Sequence, residues 1–171
     1  MATNLQFLDK ISSGGRVTNF DLQNIFNKGY DQYNIFLNVN DASGDGYIGL
    51  KFFDASDAVI TGSEYSHAGR EFKSNTSFDS TWKSDSASQI APIITGGATG
   101  TGGGALVRIF NADNSSSFTF VTCQSSMTEG TPNLRGTKTI GVHKTAEQIT
   151  GVRFAGVSHS YDTTAYIYGV K

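Results

Sequence analysis

Asp31-Gln-Tyr-Asn-Ile-Phe-Leu-Asn-Val-Asn40, then Asp41-Ala-Ser-Gly-Asp-Gly46, then Tyr47-Ile-Gly-Leu-Lys-Phe-Phe-Asp54 carry the clearest strand pattern in the chain. Tyr33, Ile35, Leu37 and Val39 alternate with Gln32, Asn34, Phe36 and Asn38, the period of an extended chain with one buried face. Ile48, Leu50 and Phe52 repeat that period. Between the two runs, Asn40–Gly46 gathers residues that tolerate positive φ or make Asx turns. The pattern predicts a β-hairpin over residues 31–54.

Working outward, Leu106–Phe110 and Phe118–Cys123 flank a second turn-rich segment, Asn111–Ser117, and predict a second hairpin. Three further runs, Thr137–His143, Gln148–Ala155 and Ala165–Val170, are separated by short polar segments. Strands and turns at this spacing predict an antiparallel sandwich or barrel. The N-terminal third is less regular. Leu5 and Phe7, with Val17 and Phe20, read as an edge strand and its return. Leu22, Ile25 and Phe26 fit either one turn of helix or a buried loop. Residues 62–88, poor in aliphatics but carrying Tyr65, Phe72, Phe78 and Trp82, read as an excursion over one face with a helical turn near Ser66–Glu71. Residues 96–104 read as a flexible glycine loop. No shift in composition divides the chain, so residues 1–171 are expected to form one domain.

Composition supports the all-β reading. Of 171 residues 37% are hydrophobic and 12% aromatic, enough to build a core, and 20 are glycine, which weakens helix interiors. Only 16% are charged, against about 25% in an ordinary soluble protein, so neutral polar groups must carry solubility. The formal net charge is −2 with no basic cluster, which argues against nucleic acid as a partner. The apolar runs are too short to span a bilayer, so membrane insertion is not expected. Met1–Phe7 lacks the basic and apolar regions of a signal peptide, and the one cysteine, Cys123, forms no intrachain disulfide; both fit synthesis in a reducing cytoplasm.

Familiar catalytic spacings are absent or broken. Gly100–Ala105 satisfies GxGxxA but leads into a strand pattern rather than a helix. Gly156-Val-Ser158-His-Ser160 lacks the last glycine of a nucleophile elbow. His67, His143 and His159 are too far apart to share a helix face. Asp41, Ser43 and Asp45 open like a calcium loop, yet Phe52 stands where its closing glutamate belongs. The carboxylate pairs Asp54/Asp57 and Asp79/Asp85 read as solvated loop acids. No catalytic residue, cofactor or metal is therefore assigned. Aromatic rings with polar tips suit sugar faces. Most are expected in the core, which leaves Tyr65, Trp82 and Tyr161 as candidate contact residues. Trp82, among wholly polar neighbours, fits either a contact anchor or a lid under a loop.

Ile149-Thr-Gly-Val-Arg-Phe154 and Ala165-Tyr-Ile-Tyr-Gly-Val-Lys171 resemble the closing strands of small β-rich appendage proteins of tailed, cyanophage-like bacteriophages. Ile25-Phe-Asn-Lys-Gly-Tyr-Asp-Gln-Tyr-Asn-Ile35 is similar to their opening, and Glu64-Tyr65 with Lys73-Ser74 to the segment after their second hairpin. Asp162-Thr-Thr-Ala165 departs from the pattern, which often has a glycine before the last strand. The resemblance implies an all-β, antiparallel, jelly-roll-like β-sandwich. It implies a non-enzymatic virion protein, a capsid decoration, head fibre, tail fibre or receptor-binding tip, assembled in the host cytoplasm. Its implied partners are itself as a homotrimer, other virion proteins and host surface glycans. The alternative is a lectin-like carbohydrate-binding module, with a glycan-hydrolysing tailspike fragment ranked third.

Overall fold

The computed structural model describes residues 4–26, 29–75, 81–97, 102–129 and 133–171; the expectations for Phe78, Asp79 and glycine-stretch residues 98–101 lie outside them. Among the described residues the chain runs through β1 (Leu5–Ser12), β2 (Asn19–Leu22), β3 (Gln32–Ala42), β4 (Tyr47–Phe53), β5 (Tyr65–Lys73), β6 (Thr81–Ala87), β7 (Ile90–Thr95), β8 (Gly103–Phe110), β9 (Thr119–Glu129), β10 (Asn133–His143), β11 (Gly151–Val157) and β12 (Tyr161–Val170), with no helix. An eight-stranded sheet, β1-β12-β3-β8-β9-β10-β5-β6, packs on a four-stranded one, β2-β11-β4-β7.

Four antiparallel pairs explain this order: β1 with β12, β2 with β11, β3 with β8 and β4 with β7. The first and third pairs fall in the large sheet and the second and fourth in the small one. That is the wound arrangement of a jelly roll, so the fold is a jelly-roll-like β-sandwich. Two insertions widen it. The β5–β6 hairpin lies between β4 and β7 in sequence, the β9–β10 hairpin between β8 and β11, and the two join through β10 and β5 to extend the large sheet.

The hairpin expected over residues 31–54 does not form. Its strands exist, but β3 belongs to the large sheet and β4 to the small one, so residues 43–46 carry the chain between layers. Alternation specifies one buried face per strand, and facing across a core satisfies it as well as pairing across a turn. Gly46 makes the crossing tight: a Cβ there would stand 2.5 Å from the Val157 carbonyl oxygen. The second hairpin forms as β8–β9, with Phe110 opposite Phe120. Likewise, residues 62–88 are not an excursion, and the helical turn at 66–71 is replaced by β5, paired with β10 along its whole length. Ile25 and Phe26 lie in a buried loop, where both amides donate to the Thr150 carbonyl. The two N-terminal strands are edges of different sheets rather than an edge and its return.

Ile90-Ala-Pro-Ile-Ile-Thr95, a run without alternation, is buried at every position. It pairs with β4 on one side and lies over the extension built from β9 and β10. Strands covered on both faces read as continuous apolar runs. Gly141 of β10 gives it room, since a Cβ there would come within 2.6 Å of Ile90 Cγ2. Hydroxyls of the sheet beneath satisfy its carbonyls. Thr139 Oγ1 donates to Pro92 O at 2.5 Å, and Thr137 Oγ1 donates to Ile93 O at 3.0 Å. Having spent its proton, Thr137 accepts from Ser125 Oγ at 2.5 Å. Cys123 Sγ adds a weak donor to Ile93 O at 3.3 Å.

Thr137→Val and Thr139→Val keep the shape and strand the carbonyls, so each is expected to cost about 1–3 kcal/mol in urea unfolding. Thr119→Val is the control. Among the described residues the buried Thr119 hydroxyl has no partner, so its removal is expected to leave stability unchanged or raised.

Candidate functional site

Eight strands cannot be covered by four. Beyond β7 the inner face of β5 and β6 overhangs, and Trp82 stands on that shelf opposite Gly69. Its indole meets the Tyr47 ring edge-on, centroids 6.4 Å apart. The two rings form a ridge with a cleft of about 360 Å³ on each side.

The first cleft is lined by Asp45 and Gly46 from the interlayer crossing, Glu71 and Lys73 from β5, Thr95 at the end of β7, Arg135 from β10 and Ser158. Arg135 knits it together: Nη1 lies 3.1 Å from Asp45 Oδ1 and Nε 3.4 Å from Glu71 Oε1. Lys73 Nζ is 3.8 Å from Glu71 Oε2. Glu71 is only 3% exposed, and two cations flank it, the pairing that a carboxylate taken out of water requires. Among the described residues the buried Thr95 hydroxyl has no partner. Ser158 holds a left-handed φ of 70° at the rim, a conformation uncommon outside glycine. The second cleft is lined by His67, Ala87, Ser88, Gln89, Ala91 and Pro92. Burial lowers the His67 pKa, a shift partly opposed by a hydrogen bond with the Gln89 backbone, so the ring is neutral near pH 7.

Of the three candidate contact residues, Trp82 alone reaches this surface, half-buried on the ridge. Tyr65 and Tyr161 are corrected to core residues, both fully buried. Tyr65 Oη accepts from the Phe52 amide at 2.9 Å and donates to the Ile60 carbonyl at 3.3 Å; Tyr161 Oη donates to the Phe154 carbonyl. A phenol near a turn thus serves as an internal fastener between strands. Tyr47, Glu71, Thr95 and Arg135 carried no signal in the sequence, because four different strands bring them together.

The remaining readings resolve into structural roles. Arg16 pairs with Asp41 and Arg135 with Asp45, so guanidinium groups hold the two acids of the calcium-like segment. Asp54 Oδ1 accepts from the Ser56 and Ala58 amides, and Asp57 accepts from Thr150 Oγ1, which makes that pair a fastened turn. His143 Nε2 lies 2.8 Å from Glu147, and His159 Nδ1 donates to the Val157 carbonyl at 3.0 Å. Among the described residues no three His, Cys, Asp or Glu side chains gather as a metal site.

No family model and no curated protein matches the chain. Among solved structures, sucrose-6-phosphate hydrolase from Lactobacillus gasseri is similar at 14% identity with a TM-score of 0.30. That match covers 91% of this chain and 28% of the hydrolase. A likeness this slight carries no argument about function.

Three buried acids predict an alkaline limit. Burial pushes the Cys123 thiol up to about 12 and the phenols of Tyr65 and Tyr161 well above their ordinary values. Each keeps its proton when folded at a pH where the unfolded chain would lose it. Stability is therefore intact below the ordinary thiol value of 9.0 and falls as pH rises through the thiol and phenol range. Thermal unfolding followed from about pH 8 to about pH 11 is expected to show a midpoint that declines only above about pH 9. A flat profile would contradict it.

Proposed function

We propose that the chain is a non-enzymatic, self-associating structural subunit, a homotrimeric capsid or tail appendage of a tailed bacteriophage. The outer face of its eight-stranded sheet is the assembly surface. One observation carries this reading. On that face Ile140 is 56% exposed, Phe120 45% and Phe36 41%, each pointing away from the core. Phe110, Phe120, Ile140 and Val142 surround a shallow apolar depression of about 380 Å³, with Asp85 at its margin. Apolar side chains exposed together on one sheet face are what a protein contact surface offers.

Two features support the occupant being another copy of the chain. At one end of the same sheet, β1 presents Leu5 at 44% and Phe7 at 53% exposure beside an edge with no further strand. Such edges invite pairing unless covered, and a closed ring of copies covers them. The segments that resemble phage appendage proteins also lead into β11 and form most of β12, the last returning strands of the jelly roll. Contacts with other virion proteins belong to the same proposal.

Light scattering after size exclusion tests it. The unaltered chain is expected as a trimer, and Ile140→Glu with Phe120→Glu as a monomer with an unchanged circular dichroism spectrum. A monomer for the unaltered chain at the highest concentration reached, or a trimer that survives both substitutions, would overturn the choice of surface.

A further inference from the structure

The inner shelf lies on the opposite side of the large sheet from the proposed assembly face, and its chemistry is of another kind. Its charges balance. Asp45 and Glu71 stand against Arg135 and Lys73, with Arg135 placed between the two carboxylates. A bound cation would have to displace that guanidinium, and a bound anion would meet two carboxylates. Neither charge sign is favoured. The neighbouring cleft carries only neutral amide, hydroxyl and imidazole groups. What remains is a ridge of two aromatic rings between two polar hollows.

Sugars present the complement of that arrangement. The C–H face of a pyranose packs on an aromatic ring, and its ring of hydroxyls both donates to carboxylates and accepts from guanidinium and ammonium groups. We propose that the two clefts form one binding site for an uncharged oligosaccharide, with consecutive sugar units on either side of the Tyr47–Trp82 ridge. Asp45, Lys73, Arg135 and Ser158 hold the hydroxyls of one unit, and His67, Ser88 and Gln89 those of the next. Arg135 is the central positioning residue, because it fixes both carboxylates at once. The inference is independent of the assembly reading, since the shelf is complete within one chain.

Trp82 is the chain's single tryptophan, so its fluorescence reports directly on the ridge. The experiment titrates the intact protein with neutral gluco-, galacto-, manno- and N-acetylglucosamine oligosaccharides of increasing length, with acidic oligogalacturonate and with calcium chloride. A saturable change with at least one neutral series, tightening from the monosaccharide to longer members, is the expected result. Tyr47→Ala is expected to weaken it about tenfold, as loss of an aromatic anchor does at other interfaces. Repetition in the Ile140→Glu, Phe120→Glu variant separates this site from assembly. No saturable response to any neutral series overturns the proposal. So does a response confined to oligogalacturonate or calcium, or a Tyr47→Ala titration identical to that of the unaltered chain.

Discussion

The placement of β7 on the extended sheet is the constraint on which the rest depends. A jelly roll closes its small sheet with this strand, which has a partner on one side only. Left at a bare edge, its backbone would need water, and its six buried side chains would not permit that. Thr137, Thr139 and Cys123 solve the conflict by reaching up from β9 and β10 to its carbonyls. The insertion that carries them is therefore part of the core rather than an ornament. The same seating fixes where the small sheet stops, and hence where the inner face of β5 and β6 becomes free. Pro92 in the middle of β7 and Thr95 at its end reappear as lining of the two clefts.

The widened sheet has two unlike faces at its extended end. Outside, apolar groups on β8, β9 and β10 make a surface suited to another copy of the chain. Inside, a neutral but polar shelf with two aromatic rings suits a hydroxylated ligand. The insertions that lengthen the sheet supply residues to both. The two proposals thus fall on opposite faces of one sheet, assembly on the outer face and ligand binding on the inner.

Much of the fold was legible because strand alternation is a local property. Tyr33 to Val39 and the run through Ala165–Val170 show it directly, and the β8–β9 hairpin was readable because its turn joins strands that do pair. The partner of a strand is not a local property. Tyr33–Val39 and Ile48–Phe52 carry the same pattern whether they share a sheet or face each other, so the interlayer crossing at 43–46 was out of reach. Ile90–Thr95 escaped because a strand buried on both sides shows no alternation. At the site, polar neighbours marked Trp82. Tyr65 and Tyr161 misled because a phenol beside a turn looks the same whether its hydroxyl meets water or, as here, an inward backbone group. Glu71 and Arg135 are 64 residues apart in a chain whose register alone brings them together.

Amide hydrogen exchange across residues 90–95, read by mass spectrometry on the folded protein, tests the seating of β7 most directly. If β7 is paired with β4 and sealed by burial against β9 and β10, the amides of Ile90, Ala91, Ile93, Ile94 and Thr95 exchange as slowly as those of the central strands β3 and β8. Exchange as fast as in the edge strands β1 and β6 would mean that β7 is an ordinary frayed edge. The closed core and the clefts it bounds would then lose their foundation.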